Sequence, residues 1–276
     1  IEVGVWGDIA RLCLESENHG TVEAAFESSL YLRNQHGTVV CILPCDNEAG
    51  PLHAVLTTPW VAELSTLRQH DSWRAHPGGV NVGTVHLKRQ NATTWTPPVC
   101  SGISRAPNRN VLLQLLAGAP AGSLASAFTS NTDPSGAPWM SHGRLAIAQL
   151  EVWLDNKTDE LKVESLVGLG PGLTPSGDDL LGALAITFAV QGDSARARAL
   201  KTAVAQRLHT THPLSAAHLS AALDGKGVEA LHLVAIALAT GKLPSPGSLK
   251  RLTSLGGQSG WDMLAGIALA LGLRLG

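Results

Sequence analysis

Along the first hundred residues the apolar positions fall in short, β-branched runs broken by Gly, Pro and Asn: residues 37–44 (GTVVCILP), 52–58 (LHAVLTT), 80–87 (VNVGTVHL) and 93–97 (TTWTP). Such runs predict strands. Apolar residues at helical spacing predict two helices in the same half, over 22–34 and around 59–70. Beyond Pro107 the pattern changes to Ala- and Leu-rich segments of helical period, at 110–117, 143–154, 178–190, 194–209, 214–223, 228–239 and 260–273. One alternating stretch, 161–167, reads as a strand leading into a glycine-rich loop. The expected fold is therefore α+β. A β-rich region over 1–105, a small antiparallel sheet or partial barrel, precedes a mostly helical region over 106–276 that carries the glycine-rich loops.

Composition narrows the classes. The 276 residues are 44% apolar and only 15% charged, which excludes a disordered, collagen-like or coiled-coil chain. A net charge of -2 gives no electrostatic footprint for nucleic acid or an anionic membrane. The longest nearly unbroken apolar stretch, 180–190, falls short of the roughly 20 residues that cross a bilayer. Neither nucleic acid nor membrane is expected as a partner. No secretory pattern opens the sequence, so the expected location is the cytoplasm. Cys13, Cys41, Cys45 and Cys100 are too few for a disulfide scaffold and read as reduced and mostly buried; the lone C-x3-C of Cys41 and Cys45 lacks a second ligand pair for zinc. Ser101-Gly102-Ile103-Ser104 and Ser135-Gly136 do not form a G-x-S-x-G elbow, so nothing anchors a serine hydrolase. His86-Leu87-Lys88-Arg89 reads as a solvated basic patch at a strand end.

The densest local signal is residues 168–179, GLGPGLTPSGDD, running directly into LLGALA. Four glycines and two prolines in ten positions forbid regular structure and suit a backbone with positive φ or close approach. Ser176 or Asp178 can cap the helix that follows, and two acids in a first turn complement the helix dipole. A functional reading has the N–H groups of Gly170, Gly172 and Gly177, with the hydroxyls of Thr174 and Ser176, cradling an anionic or carbonyl-bearing ligand. Asp178 and Asp179 then accept from an amide NH2 or hold Mg²⁺ through water. No lysine of a phosphate-binding loop is present, so a cation must come from elsewhere.

A second small-residue turn, Gly256-Gly257-Gln258-Ser259-Gly260-Trp261-Asp262, also opens an apolar helix. If both helix starts face one cleft, Gln258, Ser259 and Asp262 join Thr174, Ser176, Asp178 and Asp179 as catalytic and substrate-binding candidates; loops more than about 15 Å apart rule that out. The third candidate is the turn HTTHPLSAAH of residues 209–218. Pro213 starts a helix there, and His212 is the general acid or base candidate if the turn borders the cleft. The histidine spacing is broken by that helix boundary, so no metal site is assigned.

The runs GLGPGLTPSGDDLLGAL, THPLSAAHLSAALDGKG and GGQSGWDMLAG together resemble the family of the small, AllH-type subunit of oxamate carbamoyltransferase, also labelled a carboxylase. The resemblance covers 166–273 and is most specific in the first run. It implies exchange of oxalurate and phosphate with oxamate and carbamoyl phosphate, in the use of allantoin nitrogen. It also implies a complex with an acyl-CoA synthetase-like subunit and a third, uncharacterised one. Two other readings remain: a noncatalytic interaction subunit of such an assembly, or a stand-alone carboxylase or lyase acting on a small amide or dicarboxylate.

Overall fold

The computed structural model describes residues 1–15, 18–89, 91–100, 108–130 and 136–275. The chain divides into two compact units, Ile1–Pro97 and Pro98–Gly276. The motif at 101–104 and Ser135 lie outside the described residues.

The first unit holds strands β1 (Val3–Gly7), β2 (His19–Ala25), β3 (Leu30–Asn34), β4 (Val39–Leu43), β5 (His53–Leu56), β6 (Ser72–His76), β7 (Gly79–Val82), β8 (Val85–Lys88) and β9 (Thr93–Trp95), with helix α1 (Asp8–Cys13) after β1. They form one curled, nine-stranded sheet in the order β8-β7-β6-β2-β3-β4-β5-β1-β9. Most pairs are antiparallel, but β4–β5 and β1–β9 are parallel, so the sheet is mixed and larger than expected. Its core gathers Trp6, Leu30, Leu32, Ile42, Trp73, Val80 and Leu87, all buried.

Two helices expected here do not form. Residues 22–34 are the β2–β3 hairpin, closed by Phe26 N–H donating to Ser29 O at 2.8 Å. The decisive pattern is the alternation of buried Leu30 and Leu32 with Tyr31 and Arg33, a period of two that the helical spacing of Val22, Phe26 and Leu30 masks. Around 59–70 only a single 3₁₀ turn, Leu64–Thr66, forms. Cys13 and Cys41 are buried, Cys100 is half-buried and Cys45 is exposed; all four are free thiols.

The second unit contains α2 (Arg109–Leu116), α3 (Pro138–Leu154), α4 (Ser176–Gln191), α5 (Ser194–Ala205), α6 (Pro213–Leu223), α7 (Glu229–Ala239), α8 (Pro246–Thr253) and α9 (Ser259–Ala270), with a 3₁₀ segment at Leu124–Phe128. The apolar segments become helices as the periodicity predicts. α8 is an addition, and its signal is the cap Ser245 followed by Pro246 at the first helical position. The expected strand at 161–167 is a turn. The N–H groups of Leu166 and Val167 both donate to Val163 O, and these three side chains sink into the helical core. With no partner strand among the described residues of this unit, the segment satisfies its backbone locally.

α4 is the centre of the unit, buried on nearly every side. α9 crosses it closely because residue 266 is glycine: a Cβ there would lie 2.2 Å from Leu180 O. Gly177 and Gly260 act alike near the two helix starts, where a Cβ would lie 2.0 Å from Leu166 O and 1.8 Å from Leu252 O. Among the described residues no helix is long and apolar enough to cross a membrane.

Candidate functional site

The 168–175 loop reaches α4 through three glycines with positive φ, Gly168 (77°), Gly170 (111°) and Gly172 (89°), a path that side-chain-bearing residues rarely take. It ends on Pro175, the N-cap of α4, which offers no side-chain cap. Ser176 and Asp178 thus lie inside the helix rather than capping it. The Pro175 carbonyl turns back to accept from Asp178 N–H (2.9 Å) and Asp179 N–H (3.2 Å), while Gly177 N–H donates to Leu169 O (2.9 Å). Three of the first N–H groups of α4 are therefore already satisfied, and an anion cradle including Gly177 N–H is not open. At α9 the N–H groups of Gly260, Trp261 and Asp262 are likewise committed, to Leu255 O and Gln258 O.

The two loops meet. Thr174 Oγ1 and Ser259 Oγ lie 3.0 Å apart and share a hydrogen bond. Beside them opens a cleft of about 450 Å³ lined by residues of both loops: Gly172, Thr174 and Ser176 from one, Gln258, Ser259 and Asp262 from the other. Pro120, Pro171, Gly256 and Gly257 complete the lining. Gln258 Nε2 donates to Ala121 O (3.3 Å), which ties the second loop to the Pro120 segment. The N–H groups of Gly172 and Gly257 take no acceptor among the described residues.

The acids divide into two kinds. Asp178 is buried and fully engaged: Oδ1 accepts from Gly168 N–H (2.9 Å), and Oδ2 accepts from the Ser215 hydroxyl (2.6 Å) and the Thr211 hydroxyl. It pins the start of the loop to the turn before α6. With its oxygens committed, Asp178 has little capacity left for Mg²⁺, and among the described residues no three His, Cys, Asp or Glu gather to hold a metal ion.

Asp179 and Asp262 are different. Both are buried, and the Oδ2 atom of each has no hydrogen-bond partner among the described residues. Asp262 Oδ1 accepts from Leu124 N–H at 2.6 Å. Burial pushes the Asp262 carboxyl up to about 7, against the nearby Ser176 hydroxyl and the Leu124 N–H, which favour the ion. The Ser176 hydroxyl stands close without completing a bond to Oδ2. Burial likewise holds Asp179 well above the usual carboxylate range; the Ser259 hydroxyl opposes this, and the Asp262 and Asp178 charges add to it.

The remaining candidates lie outside the cleft lining. Gly170 packs behind it, where a Cβ would lie 2.9 Å from Ser176 N. His212 is the N-cap of α6, and its Nδ1 accepts from Leu214 N–H at 3.2 Å. Its neighbour Thr211, not His212 itself, touches Asp178. Sequence reasoning missed Pro120 and the Leu124 N–H, which reach the cleft from 138 or more positions before Asp262 and carry no local motif.

No curated protein and no solved structure matches this chain. Residues 166–271, which supply α4 to α9 and both glycine-rich loops, match the family model described as oxamate carbamoyltransferase subunit AllH, the family that the sequence resembles.

Proposed function

We propose that the chain is a subunit of an oxamate carbamoyltransferase-type complex and that the cleft between the α4 and α9 starts binds the amide-bearing substrate. The observation that carries this reading is a pair of buried carboxyl groups with unpartnered Oδ2 atoms, Asp262 in the lining of a hydroxyl-rimmed cleft and Asp179 behind it, against the lining residue Ser259. An unpartnered buried acceptor is costly, and an amide NH2 supplies two donors. A phosphate is a poor occupant, since no Lys or Arg lines the cleft while Asp262 does. The phosphate of carbamoyl phosphate then requires a cation from a partner, the acyl-CoA synthetase-like or the third subunit.

In this reading the oxamate carboxylate lies toward Thr174, Ser259 and the N–H groups of Gly172 and Gly257. Its amide nitrogen attacks the carbamoyl carbon. The new N–C bond forms as the C–O bond to phosphate breaks with its electron pair on phosphate, and the amide proton passes to Asp262. A carboxyl that titrates near neutrality suits a general base, being ionised in a large fraction of molecules yet basic enough to take the proton. Asp179 holds the second N–H. Asp178 and His212 position the loop and the turn and do not touch substrate. Allantoin nitrogen use and a cytoplasmic location follow from the same proposal.

Calorimetry with the complex purified with its partners tests this. Oxamate is expected to bind in preference to oxalate, which lacks the NH2 and adds a negative charge, and Asp262→Asn is expected to weaken oxamate at least about tenfold. Equal binding of the two ligands, or unchanged oxamate affinity in the variant, would assign the chain to an interaction role.

A further inference from the structure

The first unit carries a basic site built from none of the cleft residues. β8 ends the strand order of the sheet, bridged on its outer side, among the described residues, only at Glu2, and just past its end Arg89 N–H donates to Gly78 O at 3.1 Å, extending the β7–β8 ladder at the end away from its turn. A hollow of about 390 Å³ opens there, lined by Pro77, Gly78, His86, Lys88 and Arg89, with no acid among them. Arg89 Nη1 is shielded from solvent and has no hydrogen-bond partner among the described residues. No ion pair among the described residues reaches Lys88 or Arg89.

Two histidines stand beside these cations. The His76 and His86 rings stack with centroids 4.9 Å apart and 16° between planes. Gly78 N–H donates to His76 Nδ1 (3.2 Å), and His86 Nδ1 donates to Asn81 Oδ1 (2.7 Å). His76 Nε2 also lies 3.3 Å from His86 Nδ1, and desolvation with the nearby charges of His76, the N-terminus and Lys88 holds His86 toward its neutral form, so Lys88 and Arg89 supply the positive charge here. A shielded guanidinium N–H without an acceptor costs free energy that an anion recovers, and the planar Arg fork beside a Lys point charge matches a tetrahedral oxyanion. A neighbouring hollow shares His86 and Lys88 but includes Glu63 and lacks Arg89, which makes it the poorer anion site.

We propose that the hollow formed by Gly78, His86, Lys88 and Arg89 is a binding site for a tetrahedral oxyanion of the phosphate class. The test is a titration of the full chain with inorganic phosphate, followed by NMR of the Arg89 guanidinium and the His76 and His86 imidazoles, with potassium chloride holding ionic strength constant. Saturable shifts at these three residues are expected, with sulfate competing. Arg89→Gln is expected to weaken binding at least about tenfold, and Lys88→Gln, at an exposed position that does not depend on packing, to weaken it by a smaller factor. Shifts that grow linearly without saturating, or phosphate affinity unchanged in both variants, would overturn the site.

Discussion

Asp178 and Asp179 are adjacent in sequence yet play opposite parts, because neighbouring residues on a helix point about 100° apart. Asp178 faces the turn before α6 and receives three donors, whereas Asp179 lies against Ser259 with an unpartnered oxygen. Asp178→Ala leaves a backbone N–H and two hydroxyls without their acceptor and should cost about 2–4 kcal/mol. Replacing both acids by alanine should therefore lower thermal stability. Asp262 behaves differently. Its folded-state carboxyl titrates near 7, above its unfolded value, so between about pH 4 and 7 the native state holds a proton that the unfolded state has released. Stability should fall as pH rises through that window, by as much as roughly 4 kcal/mol from this group. Denaturant unfolding of Asp262→Asn should show a shallower fall than the wild type; an identical pH dependence would mean that Asp262 is not held protonated. The hydroxyls and Asp262 were legible as candidates because a small-residue turn feeding a helix is a local pattern. The division of labour between Asp178 and Asp179 was not, because it depends on what α6 and α9 present to each side of α4.

The cleft exists because α4 and α9 start side by side. That arrangement depends on Gly266, whose missing side chain lets α9 approach Leu180 O, and on Gly177 and Gly260 near the helix starts. Gly266→Ala should push the two helices apart at a cost of about 2–3 kcal/mol, measured by thermal or denaturant unfolding. A variant as stable as the wild type would show that the crossing tolerates a Cβ. The helices were legible from a period that their own residues set. The apolar residues of the β2–β3 hairpin satisfy both the helical and the strand period, and only the pairing of β3 with β4 and of β2 with β6 selects the extended form. The 161–167 stretch failed in the opposite sense, since alternation without a neighbouring strand folds into a turn.

At the scale of the whole molecule, an α+β chain of low charge leaves buried polar atoms unsatisfied beside two hollows. One group is the carboxyl pair at the α4 and α9 starts, the other the Arg89 guanidinium. The cleft lacks a cation of its own, which fits a subunit that completes its chemistry in a complex. The most direct test of the central claim is the pH dependence of kcat/KM for carbamoyl transfer to oxamate by the assembled complex, wild type against Asp262→Asn. The account predicts a wild-type rate that rises with pH and levels off with a midpoint near 7, and a variant slower by about 100-fold or more that lacks this midpoint. A variant that keeps the wild-type rate and profile would contradict it.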